Sequence, residues 1–300
     1  MSKRIRKIND LPAIPNLIIN IIIILFSLAC ILPFIFTIII SLTDESVLVN
    51  GYSFWPSKWS LEGYKYVFKS GGLISQSMWV SLKLVVIGTV LGLAITSMYA
   101  YILFRKDYRF RKFFNWLSFI TMIFSAGLVP TYVIMVQVFG LKNSIWSLVF
   151  PLLCTPFNII ILKTFYTTSI PDVLIESASI DGSSEFRTFL QIVLPISLPG
   201  LATIALFYTL GYWNDWYNAL LYIDESKMVP LQYLLMKIQN NINYLMTNSG
   251  DVGNAEAMRN MPSESARMVL AVTIILPIAC AYPFFQKYFV SGLTVGAVKG

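Results

Sequence analysis

Leu17-Ile18-Ile19-Asn20-Ile21-Ile22-Ile23-Ile24-Leu25-Phe26-Ser27-Leu28-Ala29-Cys30-Ile31-Leu32-Pro33-Phe34-Ile35-Phe36-Thr37-Ile38-Ile39-Ile40-Ser41-Leu42 holds no charged residue in 26 positions. A helix needs about 20 mostly apolar residues to cross the hydrocarbon core of a bilayer, so this run is long enough to span one. Lys3, Arg4, Arg6 and Lys7 ahead of it imitate the basic start of a secretion signal. The apolar part of such a signal is only about 7–15 residues, however. Leu28-Ala29-Cys30 faintly imitates a lipoprotein cleavage site, yet the apolar stretch continues to Leu42. The run reads as an uncleaved spanning helix.

Five further runs are long and mostly apolar: Met78–Phe104, Phe113–Phe139, Ile145–Phe165, Val193–Tyr222 and Arg267–Val290. The chain therefore reads as an all-α integral membrane protein with six transmembrane helices. Composition agrees. Of the 300 residues, 56% are hydrophobic and 12% charged, against roughly 25% charged in a soluble domain, and mean hydropathy is +0.69. There are too few polar residues to cover a water-facing surface, and the lipid bilayer supplies the missing contact. Gly88 and Gly92 form a small-xxx-small pair that lets helices approach closely in lipid. Pro33, Pro130, Pro151, Pro156 and Pro277 fall in or near spans, where they are expected to mark kinks.

The formal charge of +7 is spread over the ends of the apolar runs rather than along one polar segment, so no nucleic-acid partner is expected. Basic residues at span ends report orientation. With the N-terminus inside, one side receives Lys3, Arg4, Arg6, Lys7, Arg105, Lys106, Arg109, Arg111, Lys112, Lys163, Arg187, Lys287 and Lys299. The other receives Lys58, Lys65, Lys69, Lys142, Lys227, Lys237 and Arg259. Both termini are thus expected in the cytoplasm, with residues 1–16 a cytoplasmic segment and 17–300 the membrane domain. Residues 43–77 and 223–266 become external loops. The first is expected to form short interfacial helices. The second is rich in asparagine (Asn240, Asn241, Asn243, Asn248, Asn254, Asn260), with some helix near Leu231–Ile238.

Several kinds of chemistry are excluded or disfavoured. Histidine is absent, and Cys30, Cys154 and Cys280 lie inside apolar runs at no metal-ligand spacing, so neither a Ser/His/Asp set nor a metal centre is expected. No G-x-x-x-x-G-K-[ST] phosphate loop occurs. The chain is expected to be no enzyme and to bind no cofactor itself.

The cytoplasmic connection 169–195 carries the most specific signal. It reads Ser169-Ile170-Pro171-Asp172-Val173-Leu174-Ile175-Glu176-Ser177-Ala178-Ser179-Ile180-Asp181-Gly182, then Ser183-Ser184-Glu185-Phe186-Arg187-Thr188-Phe189-Leu190-Gln191-Ile192-Val193-Leu194-Pro195. Pro171 and Asp172 suit the first turn of a helix. Asp181-Gly182 marks a turn, and Phe186, Phe189, Leu190 and Val193 recur at helical spacing. Two short helices joined at a glycine bend are expected. Such a bent pair can sit in a cleft of another protein and transmit force.

Glu176-Ser177-Ala178, Asp181, Gly182, Ile192, Leu194 and Pro195 resemble the EAA loop of ATP-binding-cassette importer permeases, with Ser177 in place of the first alanine. Gly127-Leu128-Val129-Pro130-Thr131-Tyr132, Gly140-Leu141-Lys142-Asn143-Ser144, Trp213-Asn214-Asp215-Trp216 and the ending Tyr288–Gly300 are similar to the carbohydrate branch of that family. The likeness is to the second permease of maltose-type systems, in the subgroup serving oligosaccharides and polysaccharide fragments. It implies the type I importer architecture and a bacterial cytoplasmic membrane. It also implies a homologous second permease, two ATPase subunits holding ATP and Mg, an extracellular solute-binding protein, and a carbohydrate substrate.

Polar residues inside spans tend to line a cavity or pack on protein. Tyr208, Tyr212, Trp213, Asn214, Asp215, Trp216 and Asn218 form the densest group, with Tyr132, Gln137 and Asn158 as further candidates. Aromatic faces stack on sugar rings, and Asn or Asp bonds hydroxyls, so the group suits a glycan path. An interfacial aromatic belt explains the same composition. Permeases for other solutes, ion-coupled secondary transporters and membrane scaffolds are the competing classes. The second of these would need buried ionisable groups, and apart from Lys83, Asp215 and Arg267 near span ends the spans hold few.

Overall fold

A computed structural model describes residues 13–69, 71–247 and 263–297. Lys3, Arg4, Arg6, Lys7, Asn248-Ser249-Gly250-Asp251, Asn254, Arg259, Asn260 and Val298-Lys299-Gly300 lie outside the described residues. Among those described, secondary structure is helical apart from one isolated antiparallel bridge, Thr43 to Trp59. The helices are α1 (Ala13–Ser41), α2 (Glu45–Leu48), α3 (Glu62–Phe68), α4 (Gly71–Phe104), α5 (Arg111–Ile123), α6 (Leu128–Val133), α7 (Ile145–Leu153) and α8 (Pro156–Ser169). They continue as α9 (Asp172–Ile180), α10 (Glu185–Thr188), α11 (Leu194–Ile196), α12 (Leu198–Asn214), α13 (Tyr217–Tyr222), α14 (Leu231–Thr247) and α15 (Ser263–Ala297). Wider π turns, Ile134–Val138 and Phe189–Val193, extend α6 and α10.

Among the described residues, three helices are long and apolar enough to cross a membrane, or six if each bent pair is one span. The three are α1, α4 and α15. Helix α1 buries none of its most apolar window, as an all-round hydrophobic helix does when lipid is its solvent. The three remaining runs are not straight helices. In Phe113–Phe139, α5 ends at Phe124 in extended backbone, and Gly127 adopts φ +84° before α6, giving a 113° bend. The break thus falls ahead of Pro130, at the residue that alone tolerates that backbone region. Cys154 and Thr155 break the fourth run by 48°. The fifth turns 84° at Ser197, so its long helix begins at Leu198 and ends at Asn214 rather than running from Val193 to Tyr222.

The chain forms two compact units, Met1–Lys69 with Asn248–Thr273, and Ser70–Thr247 with Ile274–Gly300. In the first, the expected short helices of the external segment are α2 and α3. Asp44 caps α2 through Ser46 N–H at 3.1 Å and pairs with Lys58 at 2.7 Å. Glu45 accepts from the amides of Glu264 and Ser265 at 2.9 and 3.1 Å, so it caps the N-terminus of α15. Tyr52 adds a bond from its hydroxyl to Glu264 at 2.8 Å.

The second unit is built around α4, which packs on α7, α8 and α12. Gly88 and Gly92 make room for two rings: a Cβ on Gly88 would stand 2.3 Å from the Tyr212 ring, and one on Gly92 2.9 Å from that of Tyr208. Leu84, Leu148, Leu162, Tyr166 and Ile204 are fully buried here. Close approach, rather than hydrophobic transfer, is what binds helices already surrounded by apolar solvent.

Candidate functional site

The segment 169–195 folds as a bent helix pair. Helix α9 starts after Pro171 and places Asp172 in its first turn. Its C-terminus closes with Gly182 at φ +73°, Gly182 N–H donating to Ser179 O at 3.1 Å and Ser183 N–H to Ala178 O at 2.9 Å. That is the paired-bond stop in which a left-handed residue satisfies the last carbonyls. A Cβ on Gly182 would meet no atom within 4 Å; backbone angle, not space, requires glycine. Ser184 then caps α10, accepting from Arg187 N–H at 3.4 Å.

Helix α9 buries Ile175 and Ala178 against its own chain and leaves Val173, Glu176, Ser177 and Ile180 exposed. Spacing of three and four places those four on one face. Ile180 is 85% exposed and Val173 68%, an apolar stripe beside a carboxylate that no described residue covers. Ile192 and Leu194 are half-buried and Pro195 exposed, leading into the Ser197 bend.

Two connections fasten the pair to the end of α4. Lys106 holds Asp172 at 2.5 Å. Arg105 holds both Asp107 and Glu185 at 2.8 Å, and the Tyr101 hydroxyl donates to the other Glu185 oxygen at 2.6 Å. The first turns of α9 and α10 are thus pinned to one point. By composition Arg105 and Lys106 report only membrane orientation. Opposite charges on the same side of the membrane, Asp172 and Glu185 each opening a helix, were the available signal for their pairing.

The aromatic and polar candidates separate into groups. Tyr208 and Tyr212 stack at 6.2 Å and donate to Leu153 O at 3.2 Å and Val149 O at 2.9 Å; the Tyr208 hydroxyl also lies 2.6 Å from Thr96 Oγ1. Trp213 is buried, its indole N–H bonding Ile274 O at 3.3 Å. These three hold helices together. Asp215 accepts from the backbone and side-chain amides of Asn218 at 3.0 and 2.7 Å, capping α13. Tyr132 stacks on Tyr222 at 5.8 Å. Asn214, Trp216 and Gln137 are exposed.

Asn158 lines a cleft with Thr155, Phe157, Phe207, Gly211 and, from the aromatic group, Tyr208. Phe157 and Phe207 gave no sequence signal, because a phenylalanine in a span is normally lipid-facing or core. No group of three or more metal-ligating side chains occurs among the described residues.

Residues 102–295 match the family model described as the binding-protein-dependent transport system inner membrane component. The chain is 39% identical over 280 residues to the polygalacturonan/rhamnogalacturonan transport system permease protein YtcP of Bacillus subtilis (strain 168), covering 92% of this chain and 95% of that protein. It is 28% identical to the trehalose/maltose transport system permease protein MalG of Thermococcus litoralis, over 92% and 94% of the two chains. Its fold matches a chain in the crystal structure of a bacterial ABC transporter involved in the import of the acidic polysaccharide alginate. That match has a TM-score of 0.77 at 25% identity and covers 92% of this chain and 96% of that one.

Proposed function

This chain belongs to the family of inner membrane components of binding-protein-dependent transport systems, and on that premise we propose that it is the permease subunit through which an ATP-binding-cassette importer carries fragments of an acidic polysaccharide. The substrate class rests on the relatives named for polygalacturonan/rhamnogalacturonan transport and alginate import. The coupling role rests on one observation, the exposed face of α9 formed by Val173, Glu176, Ser177 and Ile180.

A binding-protein-dependent system works with an ATPase and a solute-binding protein. In this reading two ATPase subunits hold ATP and Mg, and one of them grips α9 from the cytoplasm. A homologous second permease completes the path, and the binding protein delivers sugar from outside. Displacement of α9 passes through the Lys106–Asp172 and Arg105–Glu185 pairs to α4. Helix α4 carries α12 with it, because Tyr208 and Tyr212 fill the notches at Gly92 and Gly88. Asn158, Asn214 and Trp216 remain the path candidates, while Tyr212 and Trp213 act by holding the helices that form it.

Gly182→Glu tests the coupling. The φ of +73° costs a non-glycine residue about 1–2 kcal/mol, and the new carboxylate projects beside the α9 face. The complex is expected to lose its ATPase subunits on purification, and ATP-driven uptake into vesicles to fall at least tenfold. Normal uptake by an intact G182E complex would remove α9 from the coupling role.

A further inference from the structure

We propose that the start of α8, at the break in the fourth span, is a sugar-binding station: its open amides and the Asn158 side chain take the carboxylate or hydroxyl oxygens of a uronate unit, while Phe157 and Phe207 take the ring.

The 48° break leaves two sets of unmatched backbone groups, carbonyls at the end of α7 and amides at the start of α8. Three of the α7 carbonyls receive side-chain donors. Tyr212 donates to Val149 O at 2.9 Å, Tyr208 to Leu153 O at 3.2 Å and Thr155 Oγ1 to Leu152 O at 3.2 Å. The amides are not covered. Pro156 has no N–H, Ile159 N–H already reaches Thr155 O at 3.2 Å, and the Thr155 side chain makes no cap bond. This leaves the first-turn amides of Phe157 and Asn158 without a helical acceptor, at the positive end of a 14-residue helix.

The second observation is Asn158 itself. It is 5% exposed and borders the cleft, and its side-chain amide has no hydrogen-bond partner among the described residues. Open to the cleft and bonded to no neighbouring side chain or backbone group, this amide is available to a ligand offering oxygen acceptors. Phe157 and Phe207 are 50% and 39% exposed, with ring centroids 6.5 Å apart and planes tilted 31°. They line the same cleft as Asn158, bringing apolar ring surface and a polar group together, the pairing that a pyranose ring presents. Gly211 keeps the cleft open, since a Cβ there would meet nothing within 4 Å.

The proposal rests on the carbohydrate-import reading and adds to it the residues and the charge class. The test uses the assembled complex, with its partner permease and ATPase subunits, in lipid nanodiscs with trigalacturonate as probe. Two variants avoid misfolding as an explanation. Asn158→Asp puts a carboxylate in the first turn of α8, where the helix dipole favours it and a uronate is repelled. Gly211→Leu improves helix propensity and fills the cleft. Each is expected to elute from gel filtration as the full complex, to bind trigalacturonate at least tenfold more weakly by titration calorimetry, and to raise the KM of uptake in parallel. Binding equal to the parent in both variants overturns the site, as does a parent complex that binds no trigalacturonate. A phospholipid displaced by Gly211→Leu while trigalacturonate binding is unchanged also overturns it. A parent that binds the probe but performs no ATP-dependent uptake of it sinks the function and leaves the site standing.

Discussion

Gly88 and Gly92 show how a single absent methyl group sets a helix contact. The Tyr212 ring lies 2.3 Å from where a Gly88 Cβ would be, and the Tyr208 ring 2.9 Å from that of Gly92. Overpacking of this kind costs about 1–3 kcal/mol. Gly88→Ala is expected to lower the melting temperature of the purified complex more than Gly92→Ala; equal shifts, or the reverse order, would contradict the packing. Asp44 offers a test by pH. Its bond to Lys58, then that to Ser46, holds the carboxyl at about 2 in place of the ordinary 3.8. A depressed acid stabilises the folded state above its unfolded pKa, so this contribution is complete above pH 3.8 and disappears as pH falls toward 2. Asp44→Asn is expected to destabilise the complex at neutral pH and to flatten the stability profile across that acid window, as followed by thermal melts. Sequence made the small-xxx-small pair at Gly88 and Gly92 legible, but not the partners. Tyr208 and Tyr212 are over a hundred residues away, and their composition fits a sugar site as well as a helix contact.

Among elements, the breaks are the informative features. Three apolar runs bend by 113°, 48° and 84°, and each bend frees backbone groups that neighbouring side chains must satisfy. At the fourth run the tyrosines donate to Val149 O and Leu153 O, while the first amides of α8 stay open. At the fifth, the bend at Ser197 turns α10 and α11 away from α12, and α9 and α10 lie beside the end of α4. The Arg105–Glu185 contact gives this arrangement a direct test. Arg105→Glu or Glu185→Arg is expected to reduce ATP-driven uptake several-fold in complexes that still assemble, and the double reversal to recover most of it. If the double variant is no better than either single one, the pair does not transmit the stroke. The glycine bend and both short helices were readable from Pro171, Asp172, Asp181-Gly182 and the spacing of Phe186, Phe189 and Val193. Their attachment to Arg105 and Lys106 was not, because pairing across 66 to 80 residues leaves no periodic trace.

At the scale of the whole molecule, a helix such as α1, apolar on every side, commits the chain to lipid. The bias of lysine and arginine predicts that residues 105–112 and 169–195 lie on the cytoplasmic side. A fluorescent protein fused after Gly300 is therefore expected to mature and fluoresce, and alkaline phosphatase fused there to remain inactive; active phosphatase would invert the topology and remove the coupling segment from the ATPase side. Sequence by itself determined the membrane class, the helical content, the six apolar runs and the family motif, because each is a property of local composition or of fixed spacing along the chain. Only the tertiary structure decided where three spans break, that Tyr212 and Trp213 hold helices, and that Asn158 faces a cleft between Phe157 and Phe207. Those outcomes depend on which residue meets which across a packed interface, and hydropathy is the same for a phenylalanine facing lipid, a neighbouring helix or a sugar.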